Sequence, residues 1–285
     1  MPTLTPNPLS PRTIDALLSL CAEAGDLIAL EYRGSRADEF REKSDDSPIT
    51  RADVASHHCI VNGLQSLLPD IPVLSEESPG EIIARRHDWQ RLWLVDPLDG
   101  TREFLERSGE FTVNLALIEA GAPRLGILYL PLDEVAYLGM PGVGGWQCRR
   151  QGAEWVRREL APRAFVPGGT LTVLASRRHH NARLARVLRL LESRSGPIER
   201  RDSGSALKFA QLADGGGDCY PRFSPCSEWD VAAGQALLES VGGAVLGLDG
   251  MPLRYNVRAT LLSPHFLAVA DSRVPLWGEL LDAMA

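Results

Sequence analysis

Asp96 and Asp99 stand three positions apart in Trp93-Leu94-Val95-Asp96-Pro97-Leu98-Asp99-Gly100-Thr101. The apolar run ahead of them reads as a buried strand, and Gly100-Thr101 reads as a helix start. Pro97 stiffens the turn between, so both carboxylates converge on one point. Carboxylate and carbonyl oxygens are the hard ligands that Mg²⁺ takes. The first amides of a helix, at the positive end of its dipole, suit a phosphate. One short segment thus offers both halves of a metal–phosphate site. The same turn also serves as a plain capped strand-to-helix connection, because Asp, Pro and Gly favour turns.

Three further acids have chemical and ordinary readings side by side. Glu76 follows the short apolar pair Val73-Leu74 and also reads as a solvated loop residue. Asp230 follows Trp229 at the head of Val231-Ala232-Ala233-Gly234, where an acid also serves as a helix N-terminal charge. Asp53 in Thr50-x-x-Asp53 fits a capping box, although Glu or Gln is usual at that position. Cys226 lies in a Pro-rich turn with no histidine nearby in sequence, so no alternative nucleophile stands out.

The elements that must hold these residues alternate between α and β. Ser10-Pro11 reads as an N-cap and first helical position, opening a helix to about Arg33. Residues 34 to 47 are polar and read as a mobile loop. A second helix starts near Thr50, with Val54, Val61, Leu64 and Leu68 as its apolar stripe. Strands follow at Val73-Leu74, Leu92 to Val95, Phe111 to Ile118, Leu125 to Leu130 and Val135 to Leu138, with Gly121-Ala122-Pro123 as a hairpin turn. A charged and Pro/Gly-containing stretch at 150 to 169 places a boundary near residue 165. Beyond it, strands are expected at Leu171 to Ala175, Asp218 to Tyr220, Ala244 to Leu246 and Phe266 to Ala270. Helices are expected at Asn181 to Leu191, Ser205 to Ala213 and Val231 to Val241. The fold class is layered α/β, with one unit at 1–164 and another at 165–285.

At 285 residues the chain suits two packed halves better than one core. Its net charge of −7 argues against nucleic-acid duplexes, which recruit basic faces. The five cysteines form no C-x-x-C pair, which fits free thiols in a reducing compartment. The amino terminus has no basic-then-apolar leader pattern, and no apolar run is long enough to cross a bilayer. These features predict a soluble cytoplasmic protein.

Three motifs together carry a family resemblance: Leu74-Ser75-Glu76-Glu77, Trp93 through Phe104, and Glu228-Trp229-Asp230-Val231-Ala232-Ala233-Gly234. Their order and spacing resemble the inositol monophosphatase superfamily, and within it the CysQ-type 3'(2'),5'-bisphosphate nucleotidases. The resemblance spans residues 11 to 271 and implies an α/β/α/β/α sandwich. It implies that Glu76, Asp96, Asp99 and Asp230 are metal ligands, joined by the Leu98 carbonyl, and that the cofactor is two or three Mg²⁺ ions. Four carboxylates within about 4–6 Å repel by roughly 1 kcal/mol per pair even in water, which is a liability without cations. By the same resemblance, Asp53 and Thr101 activate the attacking water, while Gly100 and Thr101 hold the reacting phosphate. Glu76 and Asp230 also face the substrate.

Arg102-Glu103-Phe104 and Gly109 to Asn114 resemble the nucleotidase branch; inositol monophosphatases more often carry Thr-Asn-Phe at the first of these. Ser205 and Lys208 in Gly204 to Phe209, and Arg222 in Tyr220 to Phe223, resemble residues that hold the second phosphate and ribose. Ser176 and His179 fall in a loop that contacts the nucleoside, although Arg177-Arg178 departs from its usual form. A substrate with two phosphates needs cations remote from the metals, and arginine offers a planar fork for one. Lys208 also reads as a solvated helix lysine. The implied reaction converts adenosine 3',5'-bisphosphate to AMP and phosphate, serving sulfate assimilation and sensitive to Li⁺. The resemblance leaves a monomer or a homodimer open, and peripheral association with the cytoplasmic side of the inner membrane, for which no amphipathic basic helix speaks. The rivals are an inositol-phosphate phosphatase with the same metals and a non-catalytic nucleotide sensor. The sensor needs a broken catalytic set, and none of the six motif residues Asp53, Glu76, Asp96, Asp99, Thr101 and Asp230 is replaced.

Overall fold

Leu92 and Leu94 point to one side of their strand and Trp93 and Val95 to the other, and all four are buried. A strand that is apolar on both faces needs a layer on each side. The computed structural model supplies both layers; it describes residues 9–34, 39–42, 48–152, 154–161, 163–177 and 182–284.

The chain opens with α1 (Pro11–Arg33), capped by the Ser10 hydroxyl, which accepts from Thr13 N. β1 (Phe40–Glu42) and β2 (Pro48–Thr50) then pair antiparallel, so part of the segment expected to be a mobile loop is ordered. Next comes α2 (Arg51–Leu67). A seven-stranded sheet follows in chain order: β3 (Val73–Ser75), β4 (Arg91–Asp99), β5 (Thr112–Glu119), β6 (Ala122–Leu130), β7 (Val135–Met140), β8 (Gly144–Gln151) and β9 (Glu154–Glu159). Only β3 and β4 are parallel within it. Two short helices interrupt the series, α3 (Gly80–Arg85) and α4 (Thr101–Leu105).

The second sheet contains β10 (Leu171–Ser176), β11 (Ile198–Ser203), β12 (Cys219–Arg222), β13 (Ala244–Gly247) and β14 (Phe266–Val269), in the order β11-β10-β12-β14-β13. Its helices are α5 (Ala182–Ser195), α6 (Leu207–Ala213), α7 (Ala232–Ser240) and α8 (Leu276–Met284).

Three apolar cores define five layers. α1 and α2 cover one face of the first sheet, with Leu17, Ile28 and Ile60 against Trp93, Leu115 and Ile127. α6 and α7 fill the space between the sheets, with Phe209 and Leu237 set among Leu94, Leu128, Tyr220 and Phe266. α5 and α8 cover the outer face of the second sheet through Leu184, Val187, Trp277 and Leu280. α7 lies so close to β6 that a Cβ at Gly126 would fall 2.3 Å from Ala233 O. Among the described residues no helix is long and apolar enough to cross a membrane.

One expectation needs correction here. The buried face of α2 is Ala52, Asp53, Ser56, Ile60 and Leu64, while Val54 is 41% exposed. The helix turns polar residues inward because they have partners there: Ser56 Oγ donates to Pro97 O at 2.7 Å. The charged stretch after residue 150 holds β9, whose residues are mostly exposed. An edge strand studded with charge is protected against pairing with another chain, so its composition reflects its position.

Candidate active site

β4 runs through Asp96 and Pro97 to Asp99, with an irregular register against β5 between the two acids. Such an irregularity re-aims side chains along the strand. Asp96 is held from within its own turn, since Leu98 N donates to Asp96 Oδ1 at 3.0 Å. Gly100 then adopts φ +95°, and a Cβ there would sit 2.9 Å from Glu110 O, so only glycine serves. α4 starts at once with Thr101.

Glu76 arrives on the loop after β3, its amide donating to Val95 O at 3.0 Å. Asp230 arrives on a 3₁₀ turn at Glu228–Asp230 that leads into α7, and Ser227 N donates to Asp230 Oδ2 at 3.0 Å. Carboxylate oxygens of Glu76, Asp96 and Asp230 lie within 4.8 Å of one another. Burial pushes Asp96 well above the usual carboxylate range, and Glu76, Asp99 and Asp230 push it further. Burial and the neighbouring Asp99 and Glu76 raise Asp230 likewise. Asp99 belongs to the same cavity but points its Oδ2 to Ala206 N at 2.5 Å and Asn114 Nδ2 at 3.2 Å. Burial lifts it to about 6, against Lys208 and these two hydrogen bonds.

Asp53 closes the expected capping box and also meets Thr101. Its Oδ2 accepts from Thr50 N at 2.7 Å and Thr50 Oγ1 at 2.5 Å, which closes the capping box. Its Oδ1 accepts from Thr101 Oγ1 at 3.2 Å. The side chain is 3% exposed and stands behind Thr101.

A cavity of about 670 Å³ joins these residues. Glu76, Asp96, Leu98, Asp99, Gly100, Thr101 and Asp230 line it, and so do Ser176, Ser205, Lys208 and Arg222. Such a volume suits a small organic ligand. His179 lies outside the described residues.

Lys208 is not a solvated helix lysine: it is 1% exposed, and its ammonium donates to Ser203 O at 3.0 Å and Ser205 O at 2.6 Å. It thereby fixes the turn in which Ser205 takes φ +42°. Burial, then Arg222, brings its pKa down to about 8. The folded state therefore sheds this proton before the unfolded chain does, near the ordinary value of about 10.4. Stability contributed here rises between about pH 8 and 10.4. Melting curves across that window should show wild type gaining relative to Lys208→Met, and parallel curves would contradict the buried-amine reading. Arg222 is also engaged, donating to Tyr220 Oη at 3.1 Å, Ser224 O at 3.2 Å and Pro225 O at 3.0 Å.

Asn114 is a residue that motif reading left without a role. Thr112 Oγ1 donates to Asn114 Oδ1 at 2.7 Å, which orients the amide towards Asp99. The signal was present, because Thr112 and Asn114 are polar, two apart, and share the strand face that continues with Ala116 and Ile118.

What the arrangement can do is bind hard cations beside an anion. The carboxylates of Glu76, Asp96 and Asp230 are crowded to the point of repulsion, which a divalent ion would relieve. The description "Inositol monophosphatase family" matches residues 11–274. A Salmonella typhimurium protein called 3'(2'),5'-bisphosphate nucleotidase CysQ is 43% identical over 255 residues, covering 89% of this chain and 98% of that one. The Escherichia coli K12 protein of the same name is 42% identical over the same length. Among solved structures, CysQ from Bacteroides thetaiotaomicron superposes with a TM-score of 0.80 at 34% identity, covering 94% of this chain and 100% of that one. A Thermotoga maritima IMPase shares the fold at TM-score 0.75 and 20% identity. Three acids from distant segments meeting in one cavity, on this sandwich and with these relatives, lead to one statement: the chain belongs to the inositol monophosphatase family.

Proposed function

We propose that the protein is a Mg²⁺-dependent 3'(2'),5'-bisphosphate nucleotidase that hydrolyses adenosine 3',5'-bisphosphate to AMP and phosphate, in sulfate assimilation. The carrying observation is one cavity lined by Glu76, Asp96, Asp99 and Asp230 and also by Ser176, Ser205, Lys208 and Arg222. The acids suit a metal-held phosphate; the cations suit a second anionic group. The relatives named above bear the same activity in their names.

Enzymes of this family use divalent metal ions. Glu76, Asp96, Asp99, Asp230 and the Leu98 carbonyl would hold two or three Mg²⁺. When bound, such ions neutralise the carboxylates and polarise the phosphoryl group and the attacking water. The remaining work falls to the chain. Thr101 Oγ1 donates to Asp53 Oδ1, so its oxygen is left to accept from the attacking water. Water oxygen bonds to phosphorus in line as the ester P–O bond breaks, and the leaving ribose oxygen ends protonated. Gly100 and Thr101 offer amides at the head of α4, where a helix has no internal acceptors. Arg222 and Ser205 hold the phosphate that stays, and Lys208 sets the turn that presents Ser205.

Arg222→Ala separates the nucleotidase from an inositol-phosphate phosphatase. We expect kcat/KM for adenosine 3',5'-bisphosphate to fall by about 1.5–3 kcal/mol in transition-state stabilisation, the scale of a charge-assisted hydrogen bond. Hydrolysis of inositol 1-phosphate, which has no second phosphate, should barely change. Equal losses on both substrates would return the assignment to the inositol-phosphate reading.

A further inference from the structure

Asp230 is held in the acidic cluster by surprisingly little of its own. Its carboxylate accepts from Ser227 N, within the same turn. Its oxygens crowd those of Glu76 and Asp96, with Arg222 as the nearby counter-charge, and the turn that carries it is anchored elsewhere as well. Glu228, the residue two positions before it, provides one. Glu228 is fully buried, yet it does not line the cavity. Its amide donates to Leu261 O at 2.8 Å. Its carboxylate accepts from Asn256 N at 2.6 Å and Arg258 Nη2 at 2.8 Å.

The loop that grips Glu228 is itself gripped from the first half of the chain. Arg86 is 3% exposed and donates to Asn256 Oδ1 at 2.9 Å, Arg258 O at 2.6 Å and Ala259 O at 2.8 Å. Asn256 Nδ2 returns a bond to Arg86 O at 2.7 Å. Arg86 immediately follows α3, and α3 follows the Glu76 loop. The polar contacts thus run from Arg86, which α3 connects to the Glu76 loop, to Glu228, which shares the 3₁₀ turn of Asp230.

A buried ion pair is weak evidence of stability, since apolar groups of the same volume often serve as well. A geometric task accounts better for its presence. We infer that Arg86, Asn256, Arg258 and Glu228 form a positioning brace that sets the gap between Glu76 and Asp230, and so the fit of the site to its metal. None of the four lines the cavity. The inference rests on the metal reading given above.

The test is calorimetric titration of Mg²⁺ into the EDTA-stripped, dialysed full chain. Glu228→Gln keeps an oxygen for Asn256 N and removes the charge facing Arg258. Its Mg²⁺ dissociation constant should rise about tenfold, the lower scale for groups that orient metal ligands. Arg258→Ala is the second variant; it leaves the buried Glu228 carboxylate without this partner and should shift the constant the same way. Unchanged constants in the folded variants, even with lower melting temperatures, would overturn the brace and leave a purely structural network. A wild type that takes up no Mg²⁺ would overturn the metal reading, and this inference with it.

Discussion

Asp230→Asn should lower kcat by on the order of 10²-fold or more, while the metal-free variant melts no lower than metal-free wild type. The two halves of this expectation have one cause. Asp230 is desolvated beside Asp99 and Glu76, which raises its pKa. A carboxylate whose folded pKa is raised costs stability when ionised, at pH values above its unfolded pKa. Asparagine removes that cost near neutral pH and keeps an oxygen for Ser227 N. What it cannot keep is the charge that a divalent ion requires. Steady-state rates at saturating Mg²⁺, paired with melting curves in EDTA, check both halves. A variant that retains its rate would show Asp230 to be only a helix-start charge. A variant that melts clearly lower without metal would show that the cluster is not repulsive.

Asp53→Asn should lower kcat by about 10²- to 10⁴-fold, the usual range for a positioned general base. It should also cost about 1 kcal/mol of stability through the weakened cap. Because the proposed role adds to the observed capping, a control must separate them. Thr50→Ala removes the hydroxyl that donates to Asp53 Oδ2 but leaves Asp53 Oδ1 facing Thr101. It should share the stability loss and keep most of the rate. If both variants lose rate in proportion to stability, Asp53 is a cap and nothing more. Thr101→Val, which removes the hydroxyl that donates to Asp53, should resemble Asp53→Asn in rate.

The layered fold was legible where burial is one-sided or complete. α1 announced itself through Ser10-Pro11 and its apolar spacing, and the β5–β6 hairpin through its two apolar runs and turn residues. Strands at sheet edges were not. β11 is Ile-Glu-Arg-Arg-Asp-Ser, largely exposed, so it carries no alternation to read. β9 is similar. α8 was missed despite Leu276, Trp277, Leu280 and Leu281 at helical spacing, a pattern that the preceding strand overshadowed.

For the site, Glu76, Asp96 and Asp230, three of the four acids that the motifs grouped, lie within 4.8 Å of one another; Asp96 lies in a buried strand, Glu76 follows one, and Asp230 leads into the buried helix α7. Side-chain partners were not legible. Nothing local reveals that Lys208 turns inward to the Ser203 and Ser205 carbonyls, or that Glu228 meets Arg258 across the 3₁₀ turn. Such contacts join residues whose spacing in sequence carries no period.

The central claim is that this cavity cleaves one phosphate from a bisphosphorylated nucleotide with the help of Mg²⁺. Its most direct test is phosphate release from adenosine 3',5'-bisphosphate, phosphoadenosine phosphosulfate and inositol 1-phosphate, each with Mg²⁺ and with excess EDTA. The account predicts release from adenosine 3',5'-bisphosphate with a kcat/KM well above that for inositol 1-phosphate, abolished by EDTA and restored by Mg²⁺ but poorly by Ca²⁺, whose longer and looser coordination fits the site badly. Full turnover in EDTA, or a preference for inositol 1-phosphate, would contradict it.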